Sequence, residues 1–222
     1  MPISALRRRL STIPALPLFV HYDGAAGSRI ELSGVTFANW VDKTCNFLDT
    51  QGVEPGEAVR LDLARTHPGH WVTAVWLAAI WQHACTVTID EDADVALVVA
   101  GPDAFAFRAP TVACSLHPLG LAFDEVPTNC IDYAEVLSEP DVHAQEATSA
   151  AQIAWDPDVT YAVLAAAPAR SDRRLFVDPA SGWDTVADML VAPLLGGGSS
   201  IVVTDGDDAL IERVRRDERV EA

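Results

Sequence analysis

The segment from Trp71 to Trp81 carries apolar side chains on nearly every face of the helix it would form. A surface helix keeps a polar side, so this one must be buried between two neighbours. It is also too short for a bilayer, which takes roughly 20 residues to span. The expected helix runs from about Pro68, with proline in its first turn, to Gln82. Around it lie strand-like stretches: the alternation Val59, Leu61, Leu63, then Cys85 to Ile89, then Val95 to Val99. Continuous apolar runs suit strands covered on both faces, as in a parallel sheet. The order strand, helix, strand predicts an α/β fold with a mixed or mostly parallel sheet flanked by helices. Half of the 222 residues are apolar, enough for a sizeable core, and one domain over residues 1–222 is expected.

Upstream, Leu18–Tyr22 and Arg29–Leu32 read as a hairpin around the turn Asp23–Gly27. Thr36 offers an N-cap, and Phe37, Trp40, Val41, Thr44 and Leu48 recur at helical spacing until Gly52. Residues 101–150 are irregular and rich in proline, with a strand expected at Thr111–Ser115 and a short helix near Tyr133–Leu137. Thr160–Ala166 reads as an apolar strand, Trp183–Leu195 as a helix stopped by Gly196-Gly197-Gly198, and Ser200–Val203 as a buried strand. Asp207 or Asp208 can cap a last helix whose Arg213, Arg215 and Arg216 suit its C-terminal dipole. Before the hairpin, Arg7-Arg8-Arg9 suggests a surface-lying helix. The stretch Ile13–Val20 is broken by Pro14 and Pro17 and lacks a small-residue cleavage site, so export is not expected.

Charge narrows the partners. Fifteen basic against 32 acidic residues give −17, which disfavours a nucleic-acid surface and an anionic membrane. Cys45, Cys85, Cys114 and Cys130 form no C-x-x-C pair and read as buried free thiols in a reducing cytoplasm. Lys43 is the single lysine, so any chemistry needing that amine must use it. His67 and His70 would pair on a helix only without Pro68 between them. With His83 and Cys85 nearby, no metal set of three or four ligands emerges. Asp90–Asp94 lacks the glycine and terminal glutamate of a calcium loop and reads as a solvated turn. Gly196–Gly198 follows a helix and precedes a strand, the reverse of a phosphate cradle.

The order of certain segments resembles a known family. Leu32-Ser33-Gly34-Val35-Thr36-Phe37-Ala38-Asn39-Trp40 looks like the opening of an AMP-binding large domain, where a strand feeds a helix starting with a hydroxyl and an aromatic residue. Gly52-Val53-Glu54-Pro55-Gly56-Glu57-Ala58-Val59 looks like that family's G-x-x-P-G-D/E-x-V turn. Trp71–Trp81 is similar to its next buried helix, and Trp183–Val203 to a later helix, glycine and strand. The family is the adenylate-forming superfamily of acyl-CoA synthetases, luciferases and peptide-synthetase adenylation domains. Within it the chain is most similar to a small group of actinobacterial proteins of such truncated architecture. The match is clearest over residues 18–100 and 155–205, and it resembles only the N-terminal half of the family's large domain.

The resemblance also implies what is changed. The family's phosphate loop reads roughly Y-T-S-G-T-T-G-x-P-K-G, and the matching stretch here runs from Tyr161 to Arg174. Ala165, Ala166, Ala167 and Ala169 stand where glycines and hydroxyls would be, and Asp172 adds negative charge. Arg170, Arg173 and Arg174 could attract an anion, but a solvated basic loop is expected. No Y-G-x-T-E-like motif occurs, and the family's ribose aspartate and lid lysine would lie beyond Ala222. Without that electrostatic stabilisation no adenylation, cofactor or metal is expected. The expected role is binding, regulation or interaction. Alternatives are an enzyme with a cleft repurposed for an acyl or nucleotide ligand, and a subunit that completes another chain. A half-domain leaves a sheet edge open near Thr204, so self-association or a protein partner is expected.

Overall fold

The computed structural model describes residues 2–105 and 107–220. Helix α1 (Pro2–Thr12) leads into the hairpin of β1 (Pro17–Asp23) and β2 (Ser28–Ser33). Then come α2 (Gly34–Thr50), β3 (Ala58–Leu61), the short α3 (Leu63–Thr66) and α4 (Trp71–Gln82). Strands β4 (Thr86–Thr88), β5 (Leu97–Ala100), β6 (Thr111–Ala113) and β7 (Ile131–Asp132) follow, the last running into a 3-10 turn over Tyr133–Ser138. Next are β8 (Ile153–Trp155), β9 (Val159–Thr160), α5 (Tyr161–Ala166) and β10 (Arg173–Val177). Helix α6 (Trp183–Val186) passes through a π turn (Ala187–Val191) into α7 (Ala192–Gly196), and β11 (Ser199–Thr204) and α8 (Asp208–Glu218) complete the order.

Two sheets result. The smaller has the order β10-β11-β1-β2, parallel except for the hairpin strand β2. The larger has the order β7-β6-β5-β3-β4-β8-β9, parallel from β7 through β8. This is the mixed, mostly parallel α/β architecture that the sequence predicts. Helix α4 explains its own composition: it packs on α1 and α2, on β1 of the smaller sheet and on β3 and β4 of the larger. All twelve of its residues are buried. Trp71, Trp76 and Trp81 are among the largest fully buried side chains, and truncating any one to alanine costs about 3–5 kcal/mol.

Several local expectations are corrected. The N-cap of α2 is Ser33, whose Oγ accepts the Thr36 N–H at 3.1 Å, rather than Thr36 itself. Leu63 leaves the β3 alternation because the chain turns at Asp62, whose carbonyl accepts from Arg65 and Thr66. Pro68 precedes α4, which starts after His70; the His70 Nδ1 accepts the Val72 N–H at 3.2 Å. Beyond Thr160, the last residue of β9, Tyr161–Ala166 is a helix and not a strand. Thr160 caps a helix by accepting the Val163 N–H, and only Tyr161 and Leu164 are buried, at helical i, i+3 spacing. The basic stretch at Arg173 is a strand rather than a solvated loop. Helix α1 does not lie on the surface: Ile3, Leu6 and Arg9 are buried, and Arg9 donates to the carbonyls of Gly198 (2.8 Å) and Pro17 (2.9 Å). The strand ending at Thr204 is interior, so the edges of that sheet are β10 and β2.

Candidate functional site

Parallel strands gather their carboxyl ends on one side of a sheet. Ligands bind there, at the point where successive connections leave in opposite directions. In the larger sheet that point lies between β3 and β5, because the chain moves from β3 to β4 on one side and returns to β5 on the other. A cavity of about 340 Å³ opens there, lined by Arg60, Asp62, Thr66, His67, Gly101 and Phe107 among others. Thr66 and His67 also line a cavity of about 350 Å³ against the smaller sheet. Its walls include Asp23, Asp178 and Asp205, at the carboxyl ends of β1, β10 and β11. The two cavities are neighbours that share Thr66 and His67 as a common wall, and together they are called the cleft below.

Three histidines stand at this cleft or just beneath it. His21 on β1 and His70 meet edge to face with ring centroids 4.8 Å apart, and His21 Nε2 lies 2.9 Å from Thr204 Oγ1. Burial pushes His21 down to about 4, with Asp23 partly opposing it. Burial, reinforced by His21 and His67, pushes His70 down to about 3. Burial lowers His67 as well. All three are neutral at pH 7, so three aspartates face the cavity without a histidine cation to answer them. Asp178 (φ 46°) and Asp205 (φ 51°) both adopt the left-handed region. Aspartate tolerates that region better than most residues, and such strain collects at ligand sites.

On the larger sheet's side, Arg60 is buried. Its guanidinium lies 4.0 Å from the centre of the Phe107 ring, its Nε is 3.2 Å from Asp62 Oδ1, and its Nη1 donates to the Glu91 carbonyl at 3.0 Å. Burial raises the Asp62 carboxyl, while Arg60 and Arg65 pull it back. Arg65 reaches Glu91 at 2.9 Å. The cations of the cleft are therefore already paired with acids.

The residues singled out by the phosphate-loop comparison lie elsewhere. Ala165 and Ala166 end α5, Ala167 caps it, Ala169 and Arg170 lie in the link, and Arg173 and Arg174 open β10. This is the amino end of β10, opposite the cleft. The link is bonded down: the Arg170 N–H donates to the Ala192 carbonyl (2.9 Å), the Gly198 N–H to the Arg170 carbonyl (3.1 Å), and the Ser199 N–H to the Asp172 carbonyl (3.3 Å). Gly196 and Gly198 allow this contact, since a Cβ on either would come within 2.2 Å of Arg170 O or 2.5 Å of Asp172 O. Gly197, at φ 80°, ends α7 in the left-handed conformation. The arginines meet acids: Arg173 with Glu218 at 3.3 Å, Arg174 with Asp172 at 3.7 Å, Arg170 with Asp188 at 3.9 Å.

Lys43 is committed as well, donating to the carbonyls of Leu137 and Glu139 below the 3-10 turn. His67 and His70 end one helix and cap the next. The described residues bring together one different group, Asp49 with His83 and His143. Sequence reasoning missed it because its members come from three distant segments, with no local spacing to read.

This fold is shared with acyl-CoA synthetases. An acyl-CoA synthetase from Brucella canis matches 97% of the chain with a TM-score of 0.70 at 15% identity, and the match spans 45% of that enzyme. For an acetoacetyl-CoA synthetase from Streptomyces lividans the values are 98%, 0.71 and 16%, over 41% of the enzyme. For a fatty acyl CoA synthetase from Mycobacterium tuberculosis they are 99%, 0.68 and 13%, over 48%. The chain thus spans less than half the length of these synthetases. No family model matches it. A TIGR03089 family protein of Mycobacterium tuberculosis is 31% identical over 93% of this chain and 90% of that protein, and the chain belongs to the TIGR03089 family. No helix among the described residues is long and apolar enough to cross a membrane.

Proposed function

We propose that the chain is a non-catalytic relative of the adenylate-forming enzymes with a binding or interaction role. It does not form acyl-adenylates. One observation carries this reading: where the resemblance puts the phosphate loop, the chain forms α5 and a link bonded beneath α7 and β11. A phosphate cradle needs backbone N–H groups free to converge on the anion. The cleft on the far side offers no substitute, because Asp23, Asp178 and Asp205 oppose a polyphosphate. One such charge 6 Å from a phosphate costs roughly 3 kcal/mol at an effective dielectric near 20. ATP–pyrophosphate exchange with a broad panel of carboxylic acids tests the reading. The expected rate equals that of Arg173→Ala at background, and reproducible exchange above it overturns the claim.

The open edge of β10 favours interaction as the form this role takes. That strand pairs only with β11 among the described residues. A groove of about 650 Å³ runs along it, lined by Arg173, Arg174, Arg215 and Arg219 beside Asp172. In a chain of net charge −17 this is a concentrated basic strip. An extended acidic segment of a partner protein fits it, adding a strand while Arg215 and Arg219, which have no ion pair among the described residues, meet its carboxylates. The competing occupant is a second copy of this chain. Light scattering after size exclusion, across a range of concentrations, separates the two: a monomer throughout supports the foreign partner, and a dimer that Arg174→Glu dissolves supports the second copy. The four free cysteines support a cytoplasmic setting.

A further inference from the structure

We propose that Asp49, His83 and His143 form a binding site for a divalent first-row transition ion such as Zn²⁺. Their donor atoms all lie within 4.8 Å of one another. His143 Nε2 is 3.1 Å from Asp49 Oδ2, and His83 Nε2 is 3.8 Å from Asp49 Oδ1. Ligands bound at about 2.0–2.2 Å in a tetrahedral site stand roughly 3–3.5 Å apart, so small side-chain rotations close the set. His83 Nε2 is held at this point by the Val53 carbonyl oxygen, 2.8 Å away, and a water completes a four-coordinate set. Two imidazoles with a carboxylate suit zinc, cobalt or nickel rather than calcium or magnesium.

The scaffold around these ligands is held by contacts that need no ion. Asp49 lies in the last turn of α2, His83 caps the C-terminus of α4, and His143 lies in the strap after the 3-10 turn. That strap is pinned by Asn46, whose Nδ2 donates to the carbonyls of Pro140 and Val142, and by the Glu146 N–H, which donates to the Gln82 carbonyl at 2.9 Å. The site lies at the far end of α4 from the cleft, a helix of twelve residues and roughly 18 Å.

The two rings differ from the other buried histidine on α4. His70 uses its Nδ1 to accept the Val72 N–H. His83 is 1% exposed, and both its Nδ1 and that of His143 are buried without a partner. Each ring engages only the Nε2 that faces Asp49 and Val53. Asp49 is itself exposed, which leaves solvent access for the ion and for a water ligand. On binding, each Nε2 proton shifts to Nδ1 and the freed lone pair takes the metal. No acceptor holds the new Nδ1–H, so affinity falls about 10–100-fold below that of a site with such support.

Tag-free protein is titrated with Co²⁺, read by its ligand-field absorption, and then with Zn²⁺ as competitor. The expected result is one Co²⁺ per chain, displaced by Zn²⁺. His143→Ala should abolish binding and Asp49→Asn should weaken it at least about tenfold. Asp49 is a surface residue, so its variant is expected to fold normally, and circular dichroism in chelator checks both variants. Failure of Co²⁺ and Zn²⁺ to saturate the protein below about 1 mM, or equal binding by well-folded Asp49→Asn, overturns the proposal.

Discussion

The two ends of the smaller sheet are opposites. At the carboxyl ends of β1, β10 and β11 stand Asp23, Asp178 and Asp205, with neutral histidines beside them and a cavity between. At the amino end and outer edge of β10 stand Arg170, Arg173 and Arg174, with Arg215 and Arg219 alongside. The carboxyl end has space and repels polyanions. The amino end attracts anions, but its linking backbone is bonded to protein. A five-residue strand, roughly 17 Å, separates the two. Among the described residues, neither end combines a cavity, a free backbone cradle and positive charge.

The most severe test of the locked amino end is Gly196→Ala. Its Cβ would strike the Arg170 backbone, whose N–H is bonded to the Ala192 carbonyl and whose carbonyl accepts the Gly198 N–H, so relief of the clash breaks these bonds. The expected loss is about 3 kcal/mol or more, read as a fall of roughly 6–12 °C in the thermal midpoint. An unchanged midpoint would mean that the link is loose and free to adopt a cradle.

The carboxyl end is probed by pH. His21 falls to about 4 in the folded chain, from an ordinary value near 6.5, and His70 falls to about 3. The unfolded chain therefore binds more protons than the folded one between these values. Stability is full above pH 6.5 and declines as pH drops toward 4, by up to about 1.4 kcal/mol per pH unit for each histidine. Chemical denaturation across pH 4–7 measures this. His70→Asn keeps an acceptor for the Val72 N–H and should flatten the slope; an unaltered slope would show that His70 is not held neutral.

A smaller effect is expected at Arg9, which ties the amino ends of β1 and β11 by donating to Pro17 and Gly198. Arg9→Met should cost about 2 kcal/mol through two unanswered carbonyls, measurable in urea. The smallest concerns strain at the cleft. Asp178→Gly relieves a left-handed conformation and should change stability by less than about 1 kcal/mol. A larger loss in the same denaturation experiment would reveal that the carboxylate itself supports the fold.

Sequence reasoning reached the elements whose burial follows a period. Helix α4 announces itself by having no polar face, and α2 by its spacing from Phe37 to Leu48. It failed where short runs permit two readings. Tyr161–Ala166 is apolar enough for a strand, and the deciding signal is the Thr160 hydroxyl as a cap. The leading arginines of β10 conceal a strand, because an edge strand exposes them without cost. Arg9 looked like a surface charge, yet two carbonyls from distant segments satisfy it in the interior. The glycines after α7 were legible as a helix stop. Their second task, admitting the Arg170 backbone, depends on a tertiary contact that no local pattern carries. The cleft and the Asp49–His83–His143 group are likewise assembled across the fold.

The proposed reading, that the chain does not bind nucleotide phosphate, is tested most directly by calorimetric titration with Mg-ATP at moderate salt. No acyl substrate needs to be known for that measurement. The acidic cleft and the bonded link predict no saturable heat below about 1 mM ATP. A dissociation constant in the low micromolar range, lost on Arg173→Ala or relieved of its salt dependence by Asp178→Asn, would contradict the account.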